Sequence, residues 1–208
     1  RRKAPGFGAA PTRNNAAHGA NLIARVAEVV HANVGRTDFA EDPSVVLQLN
    51  TAGYVDEAAL ASVNMRLIAQ TSDEVLVAYS PDPELSEFTA RAQKYSGPIP
   101  EGQKGAAYAG IFGAIEDVQP VPPQGKIGEA LRAEGVDGLD AVAALPVGLY
   151  DIDLWDAGEE LAVVHMERVR SRVESLGGEF LNQYRGAGLF VARVRCAGQV
   201  LESLRSER

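Results

Sequence analysis

A long amphipathic helical pattern from Glu159 to Leu176 ends in Gly177-Gly178 and gives way at once to two alternating runs hinged at Arg185-Gly-Ala-Gly188. Leu161, Val164, Val169, Val173 and Leu176 recur at the spacing of one helix face, with Glu167, Arg168, Arg170, Arg172 and Glu174 on the wet side. The glycine pair supplies a left-handed helix end and a turn, and Phe180 to Tyr184 then pairs with the run beginning at Leu189. An apolar strand-like run, Pro146 to Trp155, precedes the helix, and a short helical pattern from Gln199 follows the last strand. Strand, helix, strand, strand, helix is a split-βαβ unit lacking its last strand.

The same order occurs earlier. Ala16 to Val34 repeats Leu22, Val26, Val29, Val30 and Val34 at helical spacing, and 35–43 reads as a loop. Val45 to Leu49 is a buried strand, Asp56 caps a short helix, and Leu67–Thr71 and Val75–Tyr79 form a hairpin about Ser72-Asp-Glu74. Asp82 and Pro83 then mark a helix start, with Leu85, Phe88, Ala92 and Tyr95 as its apolar stripe. Gly105 to Val118 reads as helical with Tyr108, Ile111, Phe112 and Ile115 on one face; Pro120-Val-Pro-Pro123 breaks it, and Lys126 to Ala133 gives one more short helix. The expected architecture is α+β: two ferredoxin-like units with antiparallel sheets, joined by a helical connector. Its parts are an N-terminal arm and helix over 1–43, a first unit over 44–95, the connector over 96–144, and a second unit over 145–208 without its last strand.

Charge narrows the partners. Of 20 basic and 28 acidic residues, residues 1–36 hold six and one, leaving a body of 14 basic and 27 acidic residues that repels phosphate and disfavours nucleic acid. No apolar run approaches the length of a membrane span, so no membrane association is expected. The single cysteine, Cys196, excludes an internal disulfide framework and fits a reducing, cytoplasmic compartment.

Reactive constellations are not evident, and no catalytic, metal or cofactor-binding residue is assigned. His18 and His31 lie too far apart on one helix to share a metal, and His165 has no paired ligand motif. Asp151, Asp153, Asp156 and Glu159 resemble the start of a calcium loop, but Leu154 and Trp155 interrupt it and Ala162 stands where the bidentate acid belongs. No Gly-x-Ser-x-Gly elbow occurs, and His18-Gly19 is followed by Ala20-Asn21. Arg193 and Arg195 flank Cys196 and could lower its thiol pKa, yet no base accompanies it. Gly6-Phe7-Gly8 leads into Ala-Ala-Pro, not into a phosphate-cradling helix.

The segment Val169-Arg-Ser-Arg-Val-Glu-Ser-Leu-Gly-Gly-Glu-Phe-Leu-Asn-Gln-Tyr-Arg-Gly-Ala-Gly-Leu-Phe-Val-Ala-Arg-Val-Arg195, with Val200-Leu-Glu-Ser-Leu204, resembles the propeptide-like module that precedes the catalytic domain of subtilisin-like serine peptidases. From Arg13-Asn-Asn-Ala-Ala-His18-Gly19 through Leu145–Trp155 the chain also resembles the long N-terminal region of bacterial intracellular subtilases often encoded beside an AAA-type ATPase. This resemblance implies a non-catalytic pro- or regulatory region, an intramolecular chaperone and inhibitor whose sheet packs on a subtilisin-like catalytic domain in the same or a separate chain. The other expectation is a free-standing interaction module that recruits a partner such as an ATPase. An exposed sheet face or unpaired strand edge is the physical basis of either role.

Overall fold

The computed structural model describes residues 11, 13–34, 44–99, 101–122, 126–156, 158–186 and 189–206. The loop expected over 35–43 and the glycines at 6–8 lie outside them. The chain divides at Val121/Pro122 into two compact units. The connector expected over 96–144 is therefore shared out, its first part completing the first unit and its last part belonging to the second.

The first unit begins with α1 (Asn15–Val34), which buries Gly19, Leu22, Val26 and Val29. β1 (Val45–Thr51) alternates buried and half-buried residues, α2 (Glu57–Ser62) follows, and β2 (Arg66–Ser72) and β3 (Val75–Ser80) form the hairpin. Asp56 caps α2 by accepting a hydrogen bond from the Ala59 N–H at 2.7 Å. α3 runs over Ser86–Ser96 with Phe88, Ala92 and Tyr95 buried. It starts later than Asp82 suggests, because the Asp82 carboxylate accepts from the Glu84 and Ser86 N–H groups and closes a turn ahead of the helix.

Most of the helix expected over Gly105–Val118 is absent. One short turn, α4 (Ala109–Phe112), leads into a strand, β4 (Ile115–Pro120), that pairs antiparallel with β1. The sheet order is β2-β3-β1-β4, all antiparallel, which is the complete split-βαβ arrangement. Phe112, at the end of α4, is fully buried, meets Phe88 edge-on at 5.1 Å and stacks on Tyr95 at 5.6 Å. Each such buried ring contributes about 1.5–3 kcal/mol.

α1 is fastened to this turn by polar groups. His18 Nε2 lies 3.0 Å from the Phe112 carbonyl oxygen and 2.9 Å from that of Ile115. Both partners accept, so Nε2 carries the proton. Arg13 donates through Nε to the Gly113 carbonyl and pairs with Glu116. Gly19 lets α1 approach α3 closely, since a Cβ there would lie 2.6 Å from Ser96 Cβ and 3.2 Å from the Ala92 carbonyl oxygen.

The second unit opens with α5 (Glu129–Ala133) and α6 (Leu139–Ala143), the latter in a stretch that its Gly and Asp content suggests is a loop. β5 (Gly148–Asp153), α7 (Glu159–Ser175), β6 (Glu179–Gly186), β7 (Leu189–Cys196) and α8 (Gly198–Ser206) follow. Gly177 takes a φ of 80° between α7 and β6, the left-handed conformation expected of it. The sheet order is β5-β7-β6, again antiparallel, and among the described residues no fourth strand lies beside β5. The molecule is thus α+β with two antiparallel sheets, and the second sheet has the first sheet's order minus its closing strand.

The stripe of α7 differs from the expected one. Ala162, His165, Met166 and Val173 are buried and Val169 is partly so, whereas Val164 is 49% and Leu176 41% exposed. Ala162 and Met166 pack with Phe190 and Ala192 of β7, and Val173 packs with Val194, Cys196 and Val200. Val169 and Val173 of the expected stripe thus make the contact, while toward the start of α7 it runs through Ala162 and Met166 in place of Val164. Ile127, Val136 and Val142 form a satellite cluster with Leu201 of α8, which ties α5 and α6 to the second unit.

Candidate interaction surface

Strand alternation divides the second sheet into two unlike faces. On β7, Phe190, Ala192, Val194 and Cys196 point to the helices and are buried, so Leu189, Val191, Arg193 and Arg195 point the other way. The register places Asp153 opposite Val191, Asp151 opposite Arg193 and Leu149 opposite Arg195 on one side of β7. On the other side Tyr184, Asn182 and Glu179 face Val191, Arg193 and Arg195. Directly opposed residues share a face, so these side chains form one surface.

That surface mixes apolar area with fixed charge pairs. Leu149 is 61% exposed, Tyr184 55% and Leu189 54%. Arg193 donates from Nε and Nη2 to the two carboxylate oxygens of Asp151, both at 2.7 Å, and Arg195 reaches Glu179 at 2.6 Å. The two-pronged bond to Arg193 holds the Asp151 carboxyl below its ordinary range and raises the Arg193 guanidinium above its own. Exposed pairs of this kind add little stability, but they set orientation and partner choice at an interface.

The residues weighed for chemistry take structural places. Cys196 is buried on the helix side, and burial pushes its thiol pKa up. Arg193 and Arg195 do not lower it, because alternation turns them to the opposite face, against Asp151 and Glu179. Asp156, which resembles a calcium ligand in the sequence, is bidentate with Arg185 at 2.9 and 3.0 Å and also accepts the Gly158 N–H. With Asp151 on Arg193, two of those four acids are engaged by arginines. His18 binds the α4–β4 turn, His31 is exposed in the last turn of α1, and His165 is buried on α7. Among the described residues no group of three or more His, Cys, Asp or Glu side chains could hold a metal ion, and no helix is long and apolar enough to cross a membrane.

The Arg193–Asp151 and Arg195–Glu179 pairs are missed in the sequence, because they exist only in one strand register. The available signal was the pair of arginines two residues apart on one face of a strand, with acids at matching intervals on its neighbours.

Residues 16–122 match the model of the Y4kK N-terminal domain, and residues 125–207 match that of the Y4kK central domain. A protein of Sinorhizobium fredii (strain NBRC 101917 / NGR234), named uncharacterized protein y4kK, is 28% identical over 207 residues, 98% of this chain. The chain spans 66% of that relative's length. No solved structure matches. The two matched domains meet where the fold divides, and the chain belongs to the Y4kK family.

Proposed function

We propose that this member of the Y4kK family is a non-catalytic regulatory region that docks through the open face of its second sheet, and that its partner is a subtilisin-like serine peptidase domain. The observation that carries the reading is that face. One side of a three-stranded sheet is packed by α7 and α8, while the other presents Leu149, Tyr184 and Leu189 around two fixed ion pairs. Large exposed apolar side chains set on either side of oriented charge pairs fit a surface that is covered in a complex. The strand–helix–Gly-Gly–strand–strand–helix order resembles the propeptide-like modules of subtilases, which supports a peptidase as the partner and restraint of cleavage, with assistance to folding, as the outcome. Subtilase propeptides act by binding alone, so the role asks no nucleophile or base of this chain.

The test is a titration of residues 1–208 into a purified subtilisin-like catalytic domain, following peptide cleavage and, separately, complex formation by sedimentation. Slowed cleavage together with a complex that Leu149→Asp and Leu189→Asp abolish is the expected result. Absence of any complex with the peptidase refutes the partner, and a complex insensitive to both substitutions refutes the surface.

A further inference from the structure

The edges of the two sheets are not alike. In the first sheet β2 carries two register shifts against β3, and β4 ends in Pro120 and is shifted opposite Asn50/Thr51. In the second sheet β6 is shifted between Phe180 and Asn182. These are the ordinary means by which proteins make an edge unfit for further pairing. β5 has neither device: it runs in unbroken register from Gly148 to Asp153 without proline, and its charged residues are Asp151 and Asp153.

Its hydrogen-bonding groups can be assigned. The Leu154 N–H donates to the Phe190 carbonyl at 2.7 Å, so the even-numbered residues of β5 turn their peptide groups toward β7. Leu149, Asp151 and Asp153 therefore direct N–H and C=O to the side on which, among the described residues, no strand pairs. Their side chains lie on the open face, where Asp151 is engaged by Arg193 and Asp153 stands exposed at the strand end. Tyr150 and Ile152, both half-buried, face the helices. In the first unit the equivalent edge of β1 is filled by β4, antiparallel.

We propose that this edge of β5 takes a fourth strand of alternating apolar and basic residues, antiparallel to β5. Its apolar residues lie beside Tyr150 and Ile152, and its alternate positions carry a basic residue against Asp153. Main-chain pairing provides affinity, and the apolar and basic alternation provides selection. A second copy of β5 is a poor occupant, because the two edges would bring Asp151 and Asp153 of each copy together. The inference concerns the edge, not the open face, and stands whether or not the partner is a peptidase.

The probe is a synthetic peptide, acetyl-Thr-Val-Lys-Val-Lys-Val-Thr-amide, added to residues 1–208 while amide hydrogen exchange is followed by NMR. Exchange at Leu149, Asp151 and Asp153 is expected to slow at least tenfold at saturation, and the same peptide N-methylated on its β5-facing side is expected to have no effect. Leu149→Pro removes one outward N–H while keeping the bonds to β7, and should abolish the protection with Phe190–Cys196 unchanged. Should that variant fail to fold, Asp153→Lys serves instead and should reverse preference to a peptide with Glu in place of Lys. Unchanged exchange at the three amides overturns the proposal, as does equal response to the N-methylated peptide. Protection that rises with protein concentration alone overturns it in favour of a second copy.

Discussion

Replacing Gly19 by alanine sets two principles against each other with opposite signs. In a helix interior, Gly→Ala stabilises by about 0.8–1 kcal/mol through backbone entropy. At this position, however, the added methyl would meet Ser96 Cβ at 2.6 Å, with the Ala92 carbonyl oxygen and Tyr95 Cδ1 both at 3.2 Å. Two of these atoms are fixed to the α3 backbone, so relief requires α1 to move away from α3 by roughly 1 Å, loosening Leu22 and Val26 from the core. Overpacking of this kind costs about 2–3 kcal/mol, near the top of the usual range. The net expectation is a loss of about 1–2 kcal/mol, which at a slope of about 1.5 kcal/mol per molar urea lowers the midpoint of the first unit by roughly 1 M. Urea unfolding followed at first-unit amides such as Leu47 and Phe88 separates this transition from that of the second unit. A Gly19→Ala, Ser96→Gly double variant should recover much of the loss, and Gly110→Ala, where nothing lies within 4 Å, is the control. A midpoint that rises in Gly19→Ala would falsify the close α1–α3 approach.

His18→Ala leaves the Phe112 and Ile115 carbonyls without their donor and should destabilise the first unit by about 1–2 kcal/mol, read in the same urea experiment. Cys196 should resist a thiol reagent in the native protein and react at least a hundredfold faster in denaturant, because its sulfur is buried and its pKa is raised. For Asp151 the folded pKa is depressed, so its small stabilisation is present above the ordinary carboxylate pKa and lost as pH falls through the folded value. An NMR titration should show its carboxyl midpoint rising in Arg193→Ala, with little change in stability because the pair is exposed. Gly178→Ala would bring a methyl within 2.7 Å of a Val173 methyl and 3.0 Å of Cys196 Cβ, and should lower the thermal midpoint of the second unit by several degrees.

What the sequence discloses follows from how local each signal is. The hairpins, the α3 stripe and the Gly177 turn are written in adjacent residues and stand in the structure where their patterns put them. β4 is different. Its buried residues are Ile115 and Val118, three apart, because the register shifts opposite Thr51, and a spacing of three beside Ile111 and Phe112 imitates a helix face. Only the vacant side of β1 identifies the segment as a strand, and that vacancy is tertiary information. The α7 stripe holds at Val169 and Val173 and shifts in its first turns for a related reason: Ala162 and Met166 are chosen by the shape of β7 beneath them, and periodicity cannot rank an alanine above Val164. The candidate surface was legible only as an expectation of an open face. Its composition depended on the pairing of β5 with β7, which fixes Asp151 against Arg193.

The pairing of Leu47 with Pro120 also sets an order of events during synthesis. β1 emerges early, yet its outer neighbour is the last strand of that unit to appear, and α1 cannot settle until α3 and the α4–β4 turn exist. Through that interval the nascent chain carries Leu47 and Leu49 on an incomplete sheet. In the second unit the widest pairing, Gly148 with Cys196, closes a shorter loop than Leu47 with Pro120. Closing short loops before long ones is the faster route, so the half made second is expected to fold with less delay than the half made first.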